Sequence, residues 1–211
     1  MDQCGEATFQ LSPLENDEFS KMFETRRMKF VEWIKPAALY IQGATGLPAS
    51  IVIAQAGMAS DWGASPSFRN NNNIFNHTCW APRTSIRAEI EMNGQKFPYK
   101  GACGVEKTFA KVGRPFKFAA REDSLLAYLH MILFAKSKYY KNLQDELKRG
   151  HKFTPPRQAS FRSIAGVLNA FAHDSRYLGS LQEIIQAEKL STYDLPNCWQ
   201  CLVQQGKRVG P

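Results

Sequence analysis

A chain of 211 residues, 44% hydrophobic and 12% aromatic, can bury one substantial core with at most a small second lobe. Its 22% charged residues exclude a disordered polyelectrolyte, and no apolar run approaches the roughly 18 residues of a membrane span. The formal net charge is +8, but residues 1–20 hold five acids (Asp2, Glu6, Glu15, Asp17, Glu18) and no Lys or Arg, so the remainder sets 27 basic residues against 14 acidic ones and carries +13. Such a body is steered toward polyanions, with nucleic acid and the acid-bearing cell wall as candidates, or simply has a solvated basic surface.

The opening "MDQCGEATFQLSPLENDEF" has neither a basic n-region nor an apolar h-region, so no signal peptide is expected. After this acidic segment (1–20), "FSKMFETRRMKFVEWIKPAALYIQGATG" reads as helix. Pro36 divides or kinks it, and Gly43 and Gly46 end it. Pro48 suits the first turn of a second helix, in which Ile51, Gln55, Met58 and Trp62 share one face and Gly63 is the stop. Residues 64–77, rich in Ser and Asn, read as an ordered loop. "SIRAEIEM", "NG" and "QKFPYKG" form a hairpin within a β-lobe of about 79–118. "SLLAYLHMILFAKSKYYKNLQDELKR" returns to helical spacing, with Asp123 as N-cap and Gly150 as stop. Pro155 and Pro156 break the chain. Helices near 158–171 and 176–189 follow, then a tail, 191–211, that frays or wraps the surface. Helices around a small β insertion predict an α+β domain over 21–190 with a cleft between two lobes.

Five cysteines leave at least one unpaired within the chain. Cys79 and Cys103 flank the β-lobe and can close it in an oxidising compartment. Cys198 and Cys201 form "CWQC" without the second pair a zinc site wants or the βαβ setting of a redox motif. The four histidines, His77, His130, His151 and His173, show no metal-ligand spacing.

The stretch "LPASIVIAQAGMASDWGASPSFRNNNNIFNHTCW" resembles the core motif of the peptidoglycan-hydrolysing glucosaminidase family, which includes flagellar rod-assembly hydrolases and Bax-like proteins. The family pattern runs roughly "P-S-(I/V)-x-(I/L)-A-Q-A-x-L-E-S-x-W-G", then "N-N-(L/I)-F-G". It is matched at Pro48, Ser50, Ala54, Gln55, Ala56, Ser60, Trp62, Gly63, Asn72, Asn73, Ile74 and Phe75. A second motif, "FAHDSRYLGSLQEII", is similar to "Y-A-T-D-P-x-Y-A-x-K-(L/I)", with Asp174 and Tyr177 on its polar anchors. The resemblance implies a lysozyme-like, mostly helical fold with a small β-hairpin lobe over a substrate groove. It also implies endo-N-acetylglucosaminidase activity on peptidoglycan without a cofactor or metal. Three positions depart from the pattern: Asn76 replaces a Gly, Ser175 a Pro, and Ala59 the catalytic Glu.

Glycoside hydrolysis needs a protonated acid at the leaving oxygen and usually a second carboxylate. Position 59 suits the acid, because a helix C-terminus and apolar neighbours such as Met58 and Trp62 raise a Glu pKa. Ala59 has three accounts: a Glu replaced to disarm a toxic hydrolase, a natural relative that holds glycan without cutting, or an acid supplied elsewhere, such as by Asp61. Glu89 and Glu91 share one face of a strand, so both meet the groove or both meet solvent. Glu89 is preferred as second carboxylate. Tyr177 either orients the substrate acetamido group or packs at a helix start. Asp174 caps the helix that begins near Arg176. Trp62 and Phe75 stack on a sugar face or belong to the core; Asn72 and Asn73 bond sugar hydroxyls or hold the loop, with Asn76 beside them. The expected partners are peptidoglycan strands and a periplasmic immunity protein that plugs the groove. Neither nucleic acid nor a membrane is expected, for want of any nucleic-acid motif or span. The expected route is cytoplasmic synthesis followed by specialised, type VI-like secretion into the periplasm of a target cell. The alternative is a catalytically inactive wall-binding module.

Overall fold

The computed structural model describes residues 11, 23–79, 85–92, 94–103, 113–134, 141, 144–145 and 176–194. Helix α1 spans Phe23–Thr45 and ends where Gly46 takes φ 77° and donates its N–H to the Gln42 carbonyl at 2.8 Å. Pro36 does not divide the helix, and Gly43 lies inside it. The N–H missing at Pro36 is offset by burial, since Ile34, Ala37, Ala38 and Ile41 are at most 1% exposed.

Helix α2 spans Ala49–Ser60. The one-faced amphipathic reading needs correction: residues 49–57 are buried on every side, the apolar residues of "ASIVIAQA" by packing and Ser50 and Gln55 with hydrogen-bond partners. Gly63 is not the stop either. The helix ends at Ser60, and Asp61 and Trp62 enter the left-handed region first, at φ 50° and 52°, before Gly63 at 84°. The expected loop 64–77 contains a short helix α3, Pro66–Asn71. Ser65 Oγ accepts from Phe68 N at 3.2 Å, Pro66 stands in the first turn, and Asn72 closes the helix at φ 51°. The Ser-Pro start was the available signal, hidden by the Ser/Asn composition.

Strands β1 (Thr78–Cys79), β2 (Ser85–Met92), β3 (Gln95–Cys103) and β4 (Arg114–Phe118) form an antiparallel sheet in the order β1-β4-β3-β2. The expected hairpin is present, with Met92 opposite Gln95 and Gly94 at φ 75°. Ile90, Met92, Tyr99 and Phe118 are buried, while Arg87, Glu89, Glu91, Lys96 and Lys100 are exposed. Cys79, Phe116 and Phe118 make a small core against Ile86, Cys103 and Ala127. The expected disulfide between Cys79 and Cys103 is formed, with Cα atoms 6.0 Å apart and a sequence separation of 24. A bridge of that span contributes about 3 kcal/mol in the chain-entropy model. Reducing it is expected to lower amide-exchange protection of Phe116 and Phe118 about 100-fold. Unchanged protection after reduction would show that the bridge does not hold the lobe.

Helix α4 spans Arg121–Phe134. Asp123 is its third residue rather than its N-cap: its carboxylate reaches back to Ala120 N at 3.2 Å and across to Lys100 N at 3.3 Å. The expected stop at Gly150, the helix near 158–171, Asp174 and the "CWQC" pair lie outside the described residues. Helix α5 spans Tyr177–Ala187, and a 3-10 turn follows at Leu190–Tyr193.

Contacts divide the chain into a unit of residues 1–9, 35–54 and 132–211 and a unit of residues 10–34 and 55–131. In the first, the tail does not fray at its start. Leu190 is buried, and Asp194 accepts from Ser50 N at 2.8 Å and from Ser50 Oγ. Together with Gln42 Oε1, which accepts from Ala49 N at 2.7 Å, it satisfies the orphan donors at the start of α2. Burial raises the Asp194 pKa, opposed by hydrogen bonds to its carboxylate from the Ser50 side chain and from the Ser50 and Ala49 backbone. In the second unit, Phe30, Trp33, Trp62 and Phe68 form an aromatic cluster, with Arg121 lying 4.3 Å from the Phe68 ring centre.

Candidate active site

Position 59 lies in the last turn of α2 and is half-buried. After Ser60 the chain leaves the helix through two non-glycine residues in the left-handed region, a conformation that costs roughly 1–2 kcal/mol per residue. Several contacts hold this turn. Trp62 N donates to the Gly57 carbonyl at 2.7 Å, Ser65 N to the Ser60 carbonyl at 2.8 Å, and Gly63 N to Ser60 Oγ at 3.0 Å. The Trp62 ring folds back onto the helix, where a Cβ at Gly57 would lie 2.6 Å from Cζ3, so only glycine fits beneath it. Phe30 meets the ring edge-on at 5.8 Å, and Arg27 lies 5.3 Å from the ring centre. Trp62 is 4% exposed, so it packs in the core and does not offer a face for a sugar. Asp61 is exposed and ion-paired with Arg26 at 3.4 Å.

The loop that follows is held by its own amides. Asn72 Nδ2 donates to the carbonyls of Phe118 and Ala119 at 3.2 and 3.1 Å. Asn73 is fully buried; it donates to His77 O and Phe116 O at 2.9 and 3.0 Å and accepts from His77 N at 2.9 Å. Both side chains thus hold the loop. Phe75 is 4% exposed and stacks on Tyr128 at 3.9 Å, and the Tyr128 hydroxyl donates to Gln55 Oε1. Asn76 is exposed at φ 52°, a left-handed conformation that suits the Gly of the family pattern and that Asn tolerates.

Glu89 and Glu91 are exposed on one face of β2, and Glu89 pairs with Lys96 at 2.7 Å. Ala59, Glu89 and Glu91 belong to one unit; Tyr177, half-buried at the start of α5, belongs to the other. The N-cap of α5 is Arg176, without a side-chain cap. Among the described residues, no group of three His, Cys, Asp or Glu is placed to hold a metal. No described helix is long and apolar enough to cross a membrane.

Tyr128, Gly57, Arg26, Arg27 and His77 also shape this region, and the sequence carried no periodic or motif signal for them. His77 Nε2 is buried without a hydrogen-bond partner among the described residues. Burial pushes its pKa down from 6.5 to about 4, opposed by a hydrogen bond to the Ser124 backbone. Because the folded value is depressed, this group's stability contribution is whole above pH 6.5 and is lost as pH falls toward 4. The loss is roughly 3 kcal/mol. Thermal melts at pH 7, 5.5 and 4 are expected to show this fall, and His77→Phe should flatten it. An equal slope in the variant would assign the acid lability to another group.

A family model for glucosaminidase, described as mannosyl-glycoprotein endo-beta-N-acetylglucosaminidase, matches residues 35–190. Among solved structures, the chain is similar to the catalytic domain of the autolysin Auto from Listeria monocytogenes, at 20% identity and TM-score 0.53, over 81% of this chain and 88% of that one. It is also similar to an N-acetylmuramoyl-L-alanine amidase structure from Staphylococcus aureus, at 20% identity and TM-score 0.55, over 81% of this chain and 44% of that one. No curated protein matches the sequence. These structural likenesses agree with an α+β, lysozyme-like fold.

Proposed function

The chain belongs to the glucosaminidase family, and from that premise we propose that it is an endo-N-acetylglucosaminidase scaffold for peptidoglycan whose general-acid position is occupied by Ala59. The observation that carries the proposal is local. Position 59 is the penultimate residue of a helix buried over 49–57, and after Ser60 comes a left-handed turn held by Gly57, Ser60 and Trp62. That strain is kept beside the one position where the family pattern has its acid. A carboxylic acid there would protonate the glycosidic oxygen. Glu89 would serve as the second carboxylate. No cofactor enters this scheme.

The Cys79–Cys103 bridge supports work in an oxidising compartment, where the wall lies. The reading extends to an exported antibacterial hydrolase held in check by an acidic inhibitor, an idea supported by the basic charge outside residues 1–20. The test is digestion of purified peptidoglycan by Ala59→Glu, with N-acetylglucosamine expected at the new reducing ends. A folded variant that leaves the wall intact overturns the assignment of position 59. The chain as it stands would then be read as a wall-binding module.

A further inference from the structure

The exposed face of the β-sheet carries a charge arrangement that strand pairing alone disfavours. Arg87 of β2 stands directly opposite Lys100 of β3. Two residues along β3, Ala102 stands opposite Lys117 of β4. Alternation puts all four on one face, and Arg87, Lys100 and Lys117 are each exposed. Like charges opposed across antiparallel strands destabilise the pair. Among the described residues none of the three side chains has an ion pair or hydrogen bond. Asp123 reaches this end of the sheet, but its carboxylate oxygens accept from the backbone N–H groups of Lys100 and Ala120.

Toward the hairpin turn the same face changes sign. Glu89 lies two residues from Arg87 on β2 and Glu91 two further; Lys96 stands opposite Glu91 and is ion-paired with Glu89, so two acids share one lysine. The face is thus bipolar, with a cationic end beside β4 and a net acidic end beside the turn.

We propose that this face docks the stem peptides of the peptidoglycan strand, with Arg87, Lys100 and Lys117 receiving their carboxylates and Glu91 facing their amino group. The inference rests on the peptidoglycan reading and deepens it, because it makes the enzyme select strands that keep their peptides. Charge complementarity favours this occupant over a uniform polyanion. Arg87, Lys100 and Lys117 run across β2, β3 and β4 and away from the glutamates, so a uniform polyanion laid over them would leave the acidic end of the face without a partner. A stem peptide carries both carboxylates and an amine and matches both ends.

The test uses the chain as it stands, with alanine at 59, so that binding is read without turnover. Cosedimentation with intact peptidoglycan is compared with cosedimentation with glycan stripped of its stem peptides. The variant combines Arg87→Gln, Lys100→Gln and Lys117→Gln, all at exposed positions, and circular dichroism and a thiol count check its fold. Loss of three charge-assisted contacts is expected to weaken binding to intact material about tenfold or more, with binding to stripped glycan unchanged. Free stem peptide should compete, and raising salt should erase the difference. Equal weakening on both materials, no weakening, or stronger competition by duplex DNA or teichoic acid than by stem peptide would overturn the inference. Binding of stem peptide without any binding of glycan would instead sink the glycosidase reading and leave this surface standing.

Discussion

Ala59→Glu is expected to raise the rate of peptidoglycan cleavage by on the order of 10²–10⁴ over the chain as it stands, the usual contribution of a positioned general acid. The local structure supports such a gain. Residue 59 lies in the last turn of α2, where the helix macrodipole disfavours an anion, and it is half-buried beside a fully enclosed helix face. Both effects hold a carboxyl protonated at higher pH, which a group that must donate a proton to the leaving oxygen requires. Ala59→Gln is the control of equal shape, able to hydrogen-bond but not to protonate, and it should stay near background. The alkaline limb of the Ala59→Glu rate profile then reports the new acid. Equal activity of the Glu and Gln variants would show that side-chain volume, not acidity, was missing.

Trp62→Ala is expected to cost about 3–5 kcal/mol, as the loss of a large buried aromatic usually does. In a chain of this size that lowers the melting temperature by on the order of 10 °C. The ring is 4% exposed, covers Gly57, meets Phe30 edge-on and carries Arg27 on its face. Removing it leaves a cavity and frees the left-handed turn at Asp61. Trp62→Phe keeps much of the apolar contact and should recover more than half of the loss. If Trp62 served as a sugar platform instead, the Ala variant would melt near the original temperature and lose affinity for a chitooligosaccharide. That outcome would overturn the packing role.

Much was determined by sequence alone. Asn-Gly between two alternating runs specified the hairpin and its register, because the turn demands φ > 0 and the period of two then assigns the faces. Gly46 placed the end of α1, and the spacing of Cys79 and Cys103 around the strands anticipated the bridge. Two motifs in order were enough to indicate the family that residues 35–190 match. Tertiary structure decided what these local rules leave open. Pro36 stays within one helix because burial around it outweighs a lost hydrogen bond. Trp62, a helix-face residue by periodicity, leaves the helix, and its ring packs edge-on against Phe30, about 30 residues away in sequence, in a cluster that Trp33 and Phe68 complete around Phe30. Asn72 and Asn73 bond β4 carbonyls and the loop backbone rather than waiting for a sugar, and Asp194 finds the start of α2 from 144 residues away. Each of these outcomes depends on donors, acceptors and apolar surface brought together from distant parts of the chain. Periodicity and propensity reach only a turn or two along it, so such partners become visible only once the chain has folded.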